Sequence, residues 1–368
     1  FNSDYTIKKR GLIEGVIYLG DNLTDFQKQA NLAYATAMKD LNDYDYSNGN
    51  KKRVGVVWSS GVGGIQSFRD EVMGWAEGDG IPRYSPFFVP HLITDIVAGH
   101  ISIKYGLMGP SYCVTSACAS SNHAMIDALN LIRWGKADVI VTGGSEAPVS
   151  VTAVGGFSSM HALSTRNDDP SHASRPFDAG RDGFVIGEGA GALVFEEYEH
   201  AKARGAKIYC EVVGGGMSAD AYHMTAPHPE GKGAIKSMKE ALEDAELNIE
   251  DIDYLNTHGT STPLGDIAEL IAIQALFGDH AYKMNISSTK SMTGHLLGAT
   301  AAVEALACVM AIDRGIVPPT INVEELDPQI DDKLNLTLGE AQHREVRATM
   351  SNTFGFGGHN STIVFRKI

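Results

Sequence analysis

The sequence is poor in the residues that staple a fold covalently or through a metal: it has four cysteines in 368 residues. Cys113, Cys118, Cys210 and Cys308 form no C-x-x-C pair and bracket no spaced set of histidines, which argues against both a disulfide framework and a zinc site. A reducing cytoplasm is the expected location. Basic residues are outnumbered as well, with 30 Lys+Arg against 45 Asp+Glu and a formal net charge of −15. Such a field repels polyanions, so nucleic acid is not expected as a partner. No apolar stretch reaches the length of a membrane span, and no membrane partner is expected. The opening FNSDYTIKKR has neither the hydrophobic core of a signal peptide nor an initiator Met, and the chain is expected to be missing its true beginning. Low-complexity linkers are absent too.

What is present reads as an ordinary globular protein, 43% hydrophobic and 20% charged, long enough for one large or two medium domains. Its 40 glycines cluster in short runs, among them Gly61 to Gly64, Gly214 to Gly216 and Gly355 to Gly358, the pattern of tight turns and close backbone approach. Apolar strand-like runs alternate with helical periodicity, which predicts an α/β protein. Strands are expected at 52–60, 138–144, 252–258, 284–289 and 347–352. Helices are expected at 24–41, where Thr24 and Gln27 are spaced as a capping box, at 263–278, and at 296–315, where Gly315 and two prolines close the helix. The charged helix EEYEHAKARGAK (196–207), followed by the strand-like IYCEVVGGG, marks the expected boundary between two α/β halves, 1–207 and 208–368.

The segment SYCVTSACASSNHAM (111–125) places Cys118 where a strand-compatible run, 112–117, gives way to an amphipathic helix, 120–135. Unpaired N–H groups and the positive helix end at such a position stabilise a thiolate, lower its pKa and aim it outward. The small neighbours Ala117, Ala119 and Ser120 leave room for a substrate. Spacing alone leaves two readings open: a nucleophile, or a buried inert cysteine. Cys113 and Cys308 read as core. Two later strand-to-helix loops offer partners for a thiolate: NTHGTSTPLGD (256–266) with His258, and SSTKSMTGHLLGA (287–299) with Lys290 and His295. A third loop, SNTFGFGGHN (351–360), reads either as a flexible lid with N–H groups for an oxyanion or as a tight connection.

In order and wording, SACASS, NTHGTSTPLGD, STKSMTGHLLGA and NTFGFGGHN resemble the nucleophile, first-histidine, lysine-histidine and glycine-rich gating motifs of the elongating β-ketoacyl-acyl carrier protein synthases. The segments 162–209 and 217–231 are also similar to that family, and the match runs from about Arg53 to the C-terminus. The resemblance implies a thiolase-like five-layered α-β-α-β-α fold of two similar halves. It implies that Cys118 attacks an acyl thioester and holds the chain as an acyl-enzyme, with the backbone N–H groups of Cys118 and Phe356 as the oxyanion hole. His258 and His295 would bind the malonyl thioester carbonyl and assist loss of CO2, while Lys290, paired with Glu304, holds the histidine loop. Thr260 and Thr262 would contact the phosphopantetheine arm, and Phe157 with the Phe354 to Phe356 loop would shape and gate the acyl pocket. Glu304 is grouped with Thr260, Thr262, Phe157 and Phe354 on the substrate side. Decarboxylation drives such a condensation, so no cofactor is expected beyond the arm of the acyl carrier protein, which is the expected partner.

The resemblance also implies a homodimer, with the DVIVTGG strand near its interface. It leaves the front of the chain unusual. The family's first strand has no counterpart ahead of Phe1, which would leave a sheet edge unpaired, and the stretch 11–32 holds one lysine and three acids where relatives carry basic residues that dock the carrier. Two alternatives follow: a polyketide or other secondary-pathway ketosynthase, and a non-catalytic partner subunit. Retention of Cys118, both histidines and Lys290 argues against the second. A thiolase would be expected to carry a further cysteine near the C-terminus, and none follows Cys308.

Overall fold

The computed structural model describes residues 50–368. The expected helix at 24–41, the docking stretch 11–32 and the question of a missing first strand lie outside the described residues.

Two sheets organise the chain. The first contains β1 (Val54–Ser59), β2 (Ser111–Val114), β3 (Val139–Glu146) and β4 (Gly189–Glu196) in the order β2-β1-β3-β4. In it β1 runs parallel to both β2 and β3, and β4 returns antiparallel to β3. The second sheet contains β5 (Glu211–Ala219), β6 (Tyr254–Asn256), β7 (Asn285–Ser287), β10 (Ala348–Gly355) and β11 (His359–Arg366) in the order β5-β11-β10-β6-β7. Two short strands, β8 (Ile316–Val317) and β9 (Gln342–His343), pair separately.

Between the sheets lie the helices Ser120–Arg133 and Thr300–Arg314, which touch each other and pack on strands of both sheets. The reason is legible in their composition. Every residue from Thr300 to Ile312 is buried, and a helix apolar on all sides can only sit inside a protein. Its many alanines let the two sheets approach, and Glu304 is the one charged residue in that buried run. The Ile96–Tyr105 helix packs on β1 and β2, and Lys232–Ala245 packs on β5 and β11, which gives five layers. At roughly 1.5–3 kcal/mol for each large apolar side chain buried, these layers supply the main favourable term of folding.

Several boundaries differ from expectation. The strand before Cys118 ends at Val114, and residues 115–119 form a turn. The apolar helix begins at Thr300 after a separate 3-10 turn, Leu297–Ala299. Glu196 still belongs to β4, the charged helix covers only Tyr198–Ala203, and the next strand starts at Glu211. Cys308 is fully buried, but Cys113 is only partly so, because β2 is an edge strand with exposed Ser111 and Tyr112. The DVIVTGG strand lies inside its sheet, bonded on both sides by β1 and β4, so among the described residues the edges of that sheet are β2 and β4.

Candidate active site

The turn after β2 carries Cys118 at the start of the Ser120–Arg133 helix. Ala117 takes φ +50°, a left-handed conformation costing an alanine about 1–2 kcal/mol, and such strain collects at functional sites. Ser120 Oγ ties the elbow together, donating to Ala117 O (2.6 Å) and accepting from Ser116 N (2.8 Å).

Cys118 is not aimed outward. It is 9% exposed, and burial pushes its thiol up to about 12, against the opposing pull of Lys290 and of the backbone N–H groups of Phe356 and Cys118 itself. The expected lowering by the helix end is therefore overturned: loss of water around the thiolate outweighs the local dipoles. The same two N–H groups do converge on the sulfur. Gly355 makes this possible, since a Cβ there would lie 2.8 Å from Ser116 O and 3.1 Å from the N atoms of Cys118 and Ala119.

His295 Nε2 lies 3.0 Å from Cys118 Sγ, and the His258 ring stands edge-on to His295 at 5.3 Å between centroids. Both histidines are held well below the usual histidine value, first by burial and then by the Lys290 charge; His295 adds to the effect on His258. Both are therefore neutral at neutral pH. Lys290, 1% exposed, forms a buried ion pair with Glu304. Glu304, grouped by sequence with the substrate side, thus meets Lys290 within the central helix layer; burial pushes its carboxyl up to about 7 despite that charge.

The aromatic side chains close a ring around the thiol. Phe354 meets His258 at 5.7 Å, Phe184 meets His295 at 5.2 Å, and Phe157 meets both Phe184 (5.4 Å) and Phe356 (6.4 Å). Thr260 and Thr262 join through their hydroxyls at 3.0 Å. A cleft of about 550 Å³ opens next to Thr262, its lining including Pro263, Leu264, Tyr222 and Arg181.

The sequence reading missed five residues. Phe184 completes the aromatic ring. Glu269 accepts from the backbone N–H groups of His258 and Gly259, each at 2.9 Å, and from Asn352 Nδ2 at 3.2 Å, fixing the first histidine loop. Glu146 accepts from Ser60 Oγ and the N–H groups of Gly61, Val62 and Gly298, joining the first half to the turn beyond His295. Asn122 Nδ2 donates to Ser351 O and Ser361 O, both 3.2 Å, stitching the cysteine helix to β10 and β11. Thr300 Oγ1 lies 2.9 Å from His295 Nδ1. One signal was available for Glu269: with Asp266 it is one of two acids in the largely apolar helix LGDIAELIAIQALF, a place where acids stand only with partners.

A nucleophile set against a neutral histidine pair, with two N–H donors converging on it, can take up an acyl group and stabilise an enolate. Comparison with known proteins points the same way. Residues 21–201 match the family model described as beta-ketoacyl synthase, N-terminal domain, and residues 209–324 its C-terminal domain. The chain is 47% identical over 345 residues to the 3-oxoacyl-[acyl-carrier-protein] synthase 2 of Staphylococcus aureus (strain N315), covering 93% of this chain and 81% of that one. It is 48% identical over 318 residues to the enzyme of the same name from Synechocystis, covering 86% and 76%. Among solved structures it is similar to a beta-ketoacyl synthase from Burkholderia phymatum STM815, with a TM-score of 0.82 and 38% identity over 93% of this chain and 82% of that one. A type II polyketide ketosynthase in complex with its acyl carrier protein has a TM-score of 0.86 at 32% identity, over 96% and 87%. These are condensing enzymes of the thiolase fold, and with two family domains matched and nearly half of the residues shared across most of both chains, this chain belongs to the beta-ketoacyl synthase family.

Proposed function

We propose that this acyltransferase extends fatty acyl chains by decarboxylative Claisen condensation with malonyl-acyl carrier protein. The observation that carries the reading is the contact of His295 Nε2 with Cys118 Sγ at 3.0 Å, beside the second histidine. Cys118 attacks the acyl thioester as its minority thiolate, the proton it gives up passes to the leaving carrier sulfur, and the acyl group remains on Cys118 while the N–H groups of Cys118 and Phe356 hold the oxyanion. Malonyl carrier protein then enters, with its arm along Thr260, Thr262 and the neighbouring cleft. Loss of CO2 puts an electron pair into an enolate whose oxygen accepts from His258 and His295. The enolate carbon attacks the acyl carbon, the C–S bond breaks, and Cys118 recovers its thiolate. Lys290 lowers the cost of the negative charge, and Phe157 with Phe354 to Phe356 bounds the acyl chain. Bond formation is driven by decarboxylation, so the reaction calls on no metal or redox cofactor.

A polyketide role is less well supported, because identity is 47–48% to the fatty acid enzymes and 32% to the type II polyketide ketosynthase. The partner is an acyl carrier protein, by analogy with the complex of that ketosynthase. A second copy of this chain is the proposed cover for β2, an edge strand among the described residues, and for the exposed Phe87 and Val89. The halves divide at 207/208, in the connection between β4 and β5. Among the described residues no helix is long and apolar enough to cross a membrane, and we place the enzyme in the cytoplasm.

Intact-protein mass tests the reading. The wild-type protein should gain one acyl group from acyl carrier protein and release it as ketoacyl product when malonyl carrier protein is added. Absence of acylation across a range of chain lengths would overturn the proposal.

A further inference from the structure

We infer that Thr300 is a positioning residue for the condensation: its hydroxyl donates to Nδ1 of His295 and holds that ring in the tautomer with the proton on Nε2. The inference deepens the proposed function and rests on it. A neutral imidazole carries one N–H, and the partner of one nitrogen decides what the other can do. His295 is held neutral by burial and by Lys290. Its Nε2 faces Cys118 Sγ at 3.0 Å and its Nδ1 faces Thr300 Oγ1 at 2.9 Å. The direction of the second contact therefore sets the chemistry of the first.

Three observations fix that direction. Thr300 is 1% exposed, so its O–H cannot turn to bulk water. It opens the Thr300–Arg314 helix, yet its hydroxyl makes no hydrogen bond to Leu296 O, the carbonyl four residues back that a helical threonine ordinarily bonds. Among the described residues Nδ1 of His295 is the one hydrogen-bond partner of this hydroxyl, and a buried O–H without an acceptor is costly. The turn itself is clamped. His295 N donates to Val185 O (2.7 Å), Gly298 N donates to Glu146 (3.0 Å), and Gly298 O accepts from Ser59 Oγ (3.1 Å). Thr300 and the ring are thus presented to one another by backbone rather than by chance of rotamer. The N–H on Nε2 then points to the Cys118 sulfur and to where the enolate oxygen forms.

The test pairs Thr300→Val, which keeps shape and removes the hydroxyl, with Thr300→Ser, which restores it. Histidine labelled with 15N in the wild-type protein, assigned through a His295→Gln variant, reports the tautomer directly. Nε2–H in the wild type, lost or mixed in Thr300→Val and recovered in Thr300→Ser, is the expected result; Nδ1–H in the wild type overturns the inference. Kinetically, Thr300→Val should slow decarboxylation of malonyl carrier protein by about ten- to a hundredfold, with Cys118 acylation slowed less. Equal loss of both steps, or decarboxylation within about twofold of wild type, would also overturn it. A wild-type protein that neither acylates nor decarboxylates would refute the proposed function, whereas the NMR result alone decides the tautomer.

Discussion

Two regions of the molecule are built in opposite ways. From Met284 to Ile312, every residue except Met292 and Thr293 is buried, so Lys290, His295, Thr300 and Glu304 sit in a wall made by the chain's own core. From Gly61 to Val97 no residue is buried, and Phe68, Trp75, Phe87 and Val89 stand 41–61% exposed. These side chains stack locally, as Phe68 and Tyr84 do on Phe88 at 6.0 and 5.0 Å, without acquiring a core. The difference teaches where rigidity comes from. The histidine wall is prepaid by folding, as preorganised electrostatics requires, while the segment after β1 keeps an apolar surface that no core among the described residues covers.

Four experiments would break or sharpen that contrast. The largest effect should follow Cys118→Ala: condensation should fall by about a thousandfold or more, while malonyl decarboxylation, which belongs to the histidine wall, stays measurable by CO2 release. Loss of both in a folded variant would erase the division of labour. Next, Lys290→Met should cost about 3–5 kcal/mol of stability, read from the urea midpoint, because it leaves Glu304 buried without its partner. A change below about 1 kcal/mol would mean that the wall is less rigid than its burial indicates.

The third concerns the thiol. With burial pushing Cys118 up to about 12, the thiolate is a small minority at neutral pH and grows as pH rises. Alkylation by iodoacetamide in the substrate-free enzyme should therefore climb about tenfold per pH unit from about pH 6 to 9, without a plateau. A plateau near neutrality would show that His295 and the helix end outweigh burial. The smallest effect belongs to the exposed side: Phe87→Lys should weaken self-association, measured by sedimentation, and leave the urea midpoint within about 0.5 kcal/mol. An unchanged association state would remove Phe87 from the interface.

Legibility followed the same division. Cys118, His258, Lys290 and His295 stood out as candidates because they lie in strand-to-helix loops, where α/β sheets gather function, but each signal was weak alone and their roles came from the motif resemblance. The aromatic ring was half legible: Phe157 and the Phe354 to Phe356 loop were chosen from motifs, whereas Phe184 lies in a long irregular stretch with no periodicity to place it. Glu146 and Asn122 were invisible because their partners lie 84–152 and 229–239 residues away, and no local pattern encodes such meetings; Thr300 is only five residues from His295, but the irregular turn between them has no periodicity that would pair them. The thiol pKa went wrong for a related reason. A helix N-terminus is a local feature that sequence reveals, but burial is a property of everything packed around it, and burial was the larger effect.

By itself, then, the order of apolar periods and turn signals determined an α/β chain of two halves, the positions of most of its central strands and helices, and the loops that carry chemistry. Only the tertiary structure decided that the thiol is buried, that DVIVTGG is an interior strand of its sheet, and that both histidines are neutral. It also decided which hydroxyl faces which ring nitrogen. Those outcomes depend on distances between segments far apart in sequence and on the exclusion of water, which no stretch of residues contains alone.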